Sequence, residues 1–299
     1  MAAACARRRF TVLADIIDVL ADPTDGSPLS GADDFHRLVS ESGHSFDVAK
    51  QGYVTLAGGS GLRYTGDSLQ MVRDRETFLS RGHYAPFVEA VTDSVHDSLD
   101  AAGVSDEASP VIVEVGAGTG YYLSHTLDSI QHSRGVGIDV SVYAAKMLAK
   151  CHPRVGAVVA DAWSRLPLRD QSVDAVTVVF APRNAGEFAR ILKPGGEVVV
   201  LTATTGHLAE LREPLGIIDV EKGKVERMID QAAGHLTPVT DPRPVEFSMT
   251  LDQQSIAAQI GMSPSARHIH PEVLAQRIEG LPTQMTVTAR AMITRLGKA

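Results

Sequence analysis

Cysteine is nearly absent. Cys5 and Cys151 are the two in 299 residues and stand far apart, so neither a disulfide framework nor a cysteine-rich zinc site can be built. A reducing cytoplasm is the default reading. Long apolar runs are missing too. None approaches the roughly 18 residues a membrane helix needs, so no membrane span is expected. The opening stretch, MAAACARRRFTVLADIIDVLA, places arginines ahead of apolar residues, but Asp15 and Asp18 interrupt the apolar part. That argues against a signal peptide and for an amphipathic helix. Positive charge is in deficit. Lys and Arg number 28 against 36 Asp and Glu, giving a net charge of −8. Such a chain has no global attraction to nucleic acid, and an RNA or DNA substrate would need a local basic patch. Arg63, Arg73, Arg75 and Arg81 are candidates for one, although a solvated helix face explains the same residues. No internal repeat or low-complexity tract occurs.

What is present is ordinary globular composition, 44% hydrophobic and 21% charged, enough for one large domain or two unequal ones. From Val111 onward, strands and helices alternate. VIVEVGAG (111–118), GVGIDV (135–140), VGAVVADA (155–162), VDAVTVVFAP (173–182) and EVVVLTAT (197–204) read as strands. TGYYLSHTLDSI (119–130), YAAKMLAKC (143–151), NAGEFARIL (184–192) and HLAELREPLG (207–216) read as helices between and after them. Near-continuous apolar strands alternating with helices predict a parallel sheet covered on both faces. KGKVERMIDQAAGHL (222–236) reads as helical. PVEFSMTL (244–251) and QMTVTARAMI (284–293) alternate like antiparallel strands, with helices near 252–260 and 271–280 between them. Residues 1–105 differ: glycine-, serine- and aspartate-rich loops precede helical stretches at 67–80 and 80–103. DEASP (106–110) is the expected boundary between an N-terminal module, 1–105, and an α/β domain, 106–299.

EVGAGTG (114–120) places Gly116, Gly118 and Gly120 at a strand-to-helix turn, where glycine permits φ > 0 and a ligand can approach the backbone. The loop alone fits a dinucleotide site, an S-adenosylmethionine (SAM) site or a plain tight turn. Asp139, ending the second strand, is placed to bond the two hydroxyls of a ribose; a capping Asp before Ser141 is the plainer alternative. The spacing GAGTG after Glu114, rather than GxGxxG, favours SAM over NAD. So do Asp161 and Ala162 after the third strand, then LPL and a turn into VDAV, a layout that resembles the adenine side of class I methyltransferases.

Further motifs occur together and in order: GHSFDVAKQGYVTL (43–56), SRGHYAPF (80–87), VFAPRNAGEFARILKPGG (179–196) and HLAEL (207–211). This set resembles the large-subunit ribosomal RNA guanine-N1 methyltransferases, including those that give producers resistance to tylosin and mycinamicin, across roughly residues 20–295. The resemblance implies a class I, Rossmann-like, mostly parallel seven-stranded sheet, SAM as cofactor, ribosomal RNA as partner and a possible link to antibiotic resistance. It leaves a homodimer open. It matches Tyr84, Gly120, Tyr121 and His207 to SAM contacts; local packing or a helix N-terminus explains the aromatics and the histidine otherwise. Arg183, at the carboxyl edge of the fourth strand, could stabilise guanine O6, stack on a base or contact phosphate, and Asn184 could be a helix N-cap. No general base stands out.

The family begins with a cysteine-based zinc module, and here the chain departs from it. Asp22, Asp25 and Ser40 stand where the module has cysteines, and His44 alone remains. Oxygen ligands and one imidazole suit structural zinc poorly, so no metal is expected. Losing the metal removes roughly 10 kcal/mol or more of folding energy. Ile16, Ile17, Val19 and Leu20 could supply hydrophobic packing instead. Lys50 is the residue of this region expected nearest to RNA phosphate. Two other readings stay open: a SAM-dependent enzyme of a small molecule, and a non-catalytic SAM-binding protein.

Overall fold

The computed structural model describes residues 12–59, 61–105, 107–217, 219–263 and 269–299. Cys5 and the first half of the expected N-terminal helix lie outside them; residues 12–16 are helical.

Three short strands, β1 (Leu29–Ala32), β2 (Arg37–Ser40) and β3 (Ser45–Asp47), form a small antiparallel sheet. The main sheet holds nine strands. Its parallel part is β4 (Tyr53–Thr55), β7 (Val155–Val159), β6 (Arg134–Asp139), β5 (Val111–Val115), β8 (Val173–Val179) and β9 (Leu192–Ala203), in that spatial order. β12 (Gln284–Lys298) runs antiparallel to β9, and β10 (Leu236–Pro238) and β11 (Arg243–Asp252) both pair antiparallel with β12. The seven expected strands are therefore contiguous, and β4 and β10 are edge additions. Every residue of β5, β7 and β8 is buried. Successive side chains face opposite ways, so Ile112 joins one core layer while Val111, Val113 and Val115 join the other.

Capping side chains set several helix starts. Ser68 opens α1 (Leu69–Leu79), and α2 (Ala85–Ala101) follows. The glycine loop leads into α3 (Tyr121–Ser129), and Ser141 opens α4 (Val142–Cys151). Asn184 does cap α5 (Ala185–Ile191), its amide oxygen accepting from the Glu187 N–H at 3.4 Å. The expected helix over 207–216 is only a 3-10 turn, Ala209–Leu211, and a single turn, α6 (Arg212–Leu215). Left-handed Gly206, Leu208 and Gly216 break it. Then come α7 (Lys224–Ala232), α8 (Gln253–Gly261) and α9 (Pro271–Glu279). The KPGG turn falls inside the start of β9, with Gly195 at φ 81°.

The N-terminal 105 residues are not all set apart. β4 pairs with β7, and Phe87, Val91 and Val95 of α2 enter the core under β8 and β9. What stands outside the main sheet is β1–β3, held by Leu13, Ile16, Val19 and Leu20 against Leu29 and Leu38. Ile16, Val19 and Leu20, three of the four residues expected to supply packing here, belong to this cluster, and Ile17 packs against it.

Candidate active site

The site lies along the carboxyl edge of β5, β6, β7 and β8, where crossovers leave a crevice. At the end of β5 the chain must turn sharply into α3. Gly116 sits at φ 75°, and a Cβ there would lie 2.4 Å from the Ala181 Cβ. At Gly120, φ 82°, a Cβ would lie 2.5 Å from the Cys151 Sγ on α4. The loop thus needs glycine both for φ and for close approach. Between them, the Gly118 N–H donates to Asp139 Oδ2 at 2.8 Å, and the Ser141 N–H donates to Oδ1 at 2.8 Å. The capping reading of Asp139 is therefore met, and its place in the cleft lining keeps the ribose reading open. It caps the turn into α4, and each oxygen retains a lone pair toward the cleft. Burial pushes its carboxyl above the usual range.

Glu114, one residue before the end of β5, is 1% exposed. It accepts the Leu123 N–H at 2.9 Å, satisfying a free amide in the first turn of α3. Burial raises its carboxyl to about 8. The cleft between the loop and the ends of β6–β8 has a volume of about 290 Å³. Asp139, Asp161, Ala162, Gly116 and Gly118 all line it. Asp161 is tied down by the Trp163 N–H at 2.9 Å, and the Ala162 carbonyl accepts from Asn184 Nδ2 at 3.1 Å. A small pocket of about 40 Å³ continues from this cleft past Glu114, Tyr84 and Tyr121. One elongated space therefore brings together eight of the ten expected cofactor residues, all but Gly120 and His207, with ribose-type acceptors at one end and a buried carboxyl at the other. A nucleoside carrying a cationic tail fits that donor set.

Tyr84 and His207 form the next wall. Tyr84 is 3% exposed and packs edge-on against Phe78 and Phe87 at 4.9 and 5.0 Å. Its hydroxyl lies 3.2 Å from His207 Nε2, while His207 Nδ1 lies 3.0 Å from the Arg290 carbonyl. Burial holds His207 down to about 4, so the ring is neutral at physiological pH. Beyond this pair opens a larger cavity of about 590 Å³, which shares Arg75, Tyr84 and Phe180 with the small pocket and also holds His207 and Arg183. The Arg183 Nε is buried without a hydrogen-bond partner, and burial lowers its guanidinium from the ordinary value.

Three contributors escaped the sequence reading. Arg75 was seen only as a possible surface cation. It lies over the glycine loop, its Cδ 3.1 Å from where a Gly118 Cβ would be, and donates to Asp67 at 2.7 Å and to the Met262 carbonyl at 3.2 Å. Phe180 adopts φ 52° at the end of β8 and is 40% exposed in the cleft, a strained position of the kind found at functional sites. Lys224 lines the larger cavity from the start of α7. Two expectations need correction. Arg81 is not free for a partner, because Asp252 at 2.8 Å and Ser255 at 2.6 Å hold it. Lys50 precedes β4, which runs parallel to β7, so it lies at the amino edge of the sheet, away from the cleft.

The four positions aligned with zinc ligands have also come together. His44 Nδ1 lies 2.7 Å from Asp22 Oδ2, and Asp22 Oδ1 accepts the Thr24 N–H at 2.8 Å. The His44 N–H donates to Ser40 Oγ at 3.0 Å, and Asp25 accepts the Ser27 N–H at 2.8 Å. Donor atoms of Asp22, Asp25 and His44 lie within 4.8 Å of one another. Hydrogen bonds join Asp22, Ser40 and His44, and Asp22 is fully buried.

Comparisons with known proteins agree with this geometry. Residues 113–200 match the methyltransferase domain family model. The 23S rRNA (guanine(748)-N(1))-methyltransferase of Streptomyces fradiae is 37% identical over 280 residues, covering 94% of this chain and 97% of that one. A Micromonospora griseorubida protein, provisionally named a 23S rRNA (guanine-N(1)-)-methyltransferase, is 37% identical over 290 residues, covering 94% of this chain and 98% of that one. Among solved structures, a SAM-dependent methyltransferase from Thiobacillus denitrificans in complex with S-adenosyl-L-homocysteine covers 70% of this chain and 91% of its own at 14% identity and TM-score 0.39, too distant to bear on the site. The fold is that of class I methyltransferases and the cofactor is SAM. By sequence kinship across nearly its whole length, the chain belongs to the 23S rRNA (guanine-N1) methyltransferase family.

Proposed function

We propose that the chain transfers a methyl group to N1 of a guanine in large-subunit ribosomal RNA, with Arg183 placed against the acceptor. The observation that carries this reading is the cavity of about 590 Å³ abutting the cofactor cleft across Tyr84 and Phe180, with an unpartnered, largely buried arginine in its wall. SAM supplies an electrophilic methyl on a sulfonium. Asp139 and Asp161 hold the nucleoside end, and Glu114 faces the cationic end. Tyr84, Tyr121 and His207 close the wall between donor and acceptor. Phe180 offers a ring for a base to stack on, and Arg183 offers donors to O6. The chemistry is mainly one of positioning, with acceptor nitrogen, methyl carbon and sulfur in line. A base paired within a hairpin has to be extruded to enter.

In this reading, residues 1–105 serve as the recognition module, with Tyr64 and Arg75 lining the cofactor cleft and Arg63 and Arg73 exposed. No helix among the described residues is long and apolar enough to cross a membrane. A ribosomal RNA substrate supports a cytoplasmic site of action. N1 methylation removes a Watson–Crick donor, so reverse transcriptase stops at the modified guanine. Primer extension on ribosomal RNA from deleted and complemented cells tests the proposal. An unchanged stop pattern on deletion sinks it. Arg183→Met is expected to lower turnover about 100-fold or more without changing SAM affinity.

A further inference from the structure

We propose that Lys224 and Arg183 together form an anion-holding pair in the acceptor cavity, which carries the negative charge of the guanine six-position oxygen as N1 loses its proton to solvent. This rests on the proposed function and adds a residue and a role to it.

The other charged or titratable side chains facing the cavity are Arg75, Tyr84, His207, Asp219, Glu221 and Arg227. Each has a partner. Arg75 binds Asp67, and Tyr84 binds His207. Asp219 is 2.5 Å from Arg212, and Glu221 is 2.8 Å from Arg227. Arg183 and Lys224 are left over: neither has an ion-pair partner among the described residues. The Arg183 Nε is buried and unbonded. Lys224 is partly buried, and burial and then Arg183 lower its ammonium, with Glu221 pulling the other way and Arg227 adding to the lowering. Two partly buried cations without ion-pair partners, lining one cavity, cost free energy. That arrangement suits a cavity that receives negative charge.

The same inventory offers no free base. The carboxylates of Asp219 and Glu221 are committed to arginines, and both ring nitrogens of His207 are engaged. Stabilising the conjugate base of guanine makes such a group unnecessary. In the step, the N1–H bond breaks and the proton passes to water. The N1 electron pair forms the bond to the methyl carbon. The carbon–sulfur bond breaks with its pair moving to sulfur, which leaves as a neutral thioether. A phosphate contact is the competing role for Lys224. Its partial burial in a cavity also lined by Phe180, Leu208 and Met228 favours a planar base over a hydrated phosphate.

The test compares Lys224→Met and Lys224→Arg with the unaltered enzyme on a ribosomal RNA fragment, following guanine-N1 methylation from weakly acid to alkaline pH. SAM affinity, measured by calorimetry, checks that each variant is folded. Lys224→Met is expected to lower the rate at neutral pH about 10-fold and to move the alkaline rise up by about one pH unit. Lys224→Arg is expected to keep the position of that rise. A Lys224→Met profile superimposable on that of the unaltered enzyme, with only KM for RNA raised, overturns the proposal in favour of a phosphate contact. Full activity of Lys224→Met overturns it outright. Absence of N1-methylguanine with the unaltered enzyme is a different failure: it removes the proposed function, and the inference with it.

Discussion

Glu114 should make cofactor binding and folding both depend on pH. Its carboxyl is held at about 8 in the folded protein by burial, against 4.5 in an open chain. Between those values the folded state binds more protons than the unfolded state, so stability falls as pH rises. The contribution is fully present below 4.5 and is lost as pH passes through 8. The slope is about 1.4 kcal/mol per pH unit, and the full span is worth at most about 5 kcal/mol. Urea unfolding of cofactor-free protein at about pH 5.5 and about pH 8.5 reads it directly: the unaltered chain should lose a few kcal/mol more than Glu114→Gln over that interval. Bound SAM brings positive charge to a pocket where the carboxyl is mostly protonated at pH 7. Opposite charge favours the ionised form, so binding should release close to one proton per site and tighten up to about tenfold per pH unit below 8. Calorimetry in buffers of different ionisation enthalpy measures the release. Parallel unfolding curves for the two chains, or no proton release on binding, refute the reasoning.

Other perturbations test separate parts of the site. Gly120→Ala meets a left-handed backbone and the Cys151 Sγ, and should cost about 2–5 kcal/mol in urea unfolding, against about 1–2 for Gly234→Ala, where φ is also positive but the space is open. Tyr84→Phe leaves the buried Nε2 of His207 without its partner and should cost about 1–3 kcal/mol, seen as a lower Tm; an unchanged Tm means that the bond contributes nothing. A chelator should leave the Tm where it is, because hydrogen bonds join Asp22, Ser40 and His44; a fall on chelation, reversed by zinc, shows that a metal holds this region after all.

How much of this was legible in the sequence follows from what each part depends on. β5, β7 and β8 are buried on both faces, and a strand of that kind must be a continuous apolar run, so its position can be read directly. The glycine loop, Asp139 and Asp161 were legible because local backbone geometry demands those residue types. β1–β3 were not, since these strands are three or four residues long and mostly unburied. They are fixed by contacts to residues 13–20 and by a polar cluster assembled from 22–44. Arg75 shows the same limit. Its place depends on a bond to Met262, 187 residues away, and no local pattern records that. Phe180 hides for another reason: a left-handed position usually announces itself as glycine, and here a bulky ring occupies it.

The distribution of charge bears on how an RNA would be held. A net charge of −8 gives no long-range attraction, and several arginines near the cleft are already spent inside the protein: Arg75 on Asp67, Arg81 on Asp252, Arg227 on Glu221. Large side chains are what the cleft exposes instead. Tyr64 and Trp163 are each 56% exposed on the rim of the cofactor cleft, with Phe180 between it and the acceptor cavity. Aromatic faces hold unpaired bases at about 1–3 kcal/mol each, with little dependence on salt. Phosphate contacts, by contrast, weaken steeply as salt rises. The proposed RNA substrate is then selected by a splayed-out base that fits and stacks, with Arg183 and Lys224 acting at short range inside the cavity. Discrimination made this way falls on the shape of a loop more than on duplex charge, which reconciles an acidic chain with a polyanionic substrate.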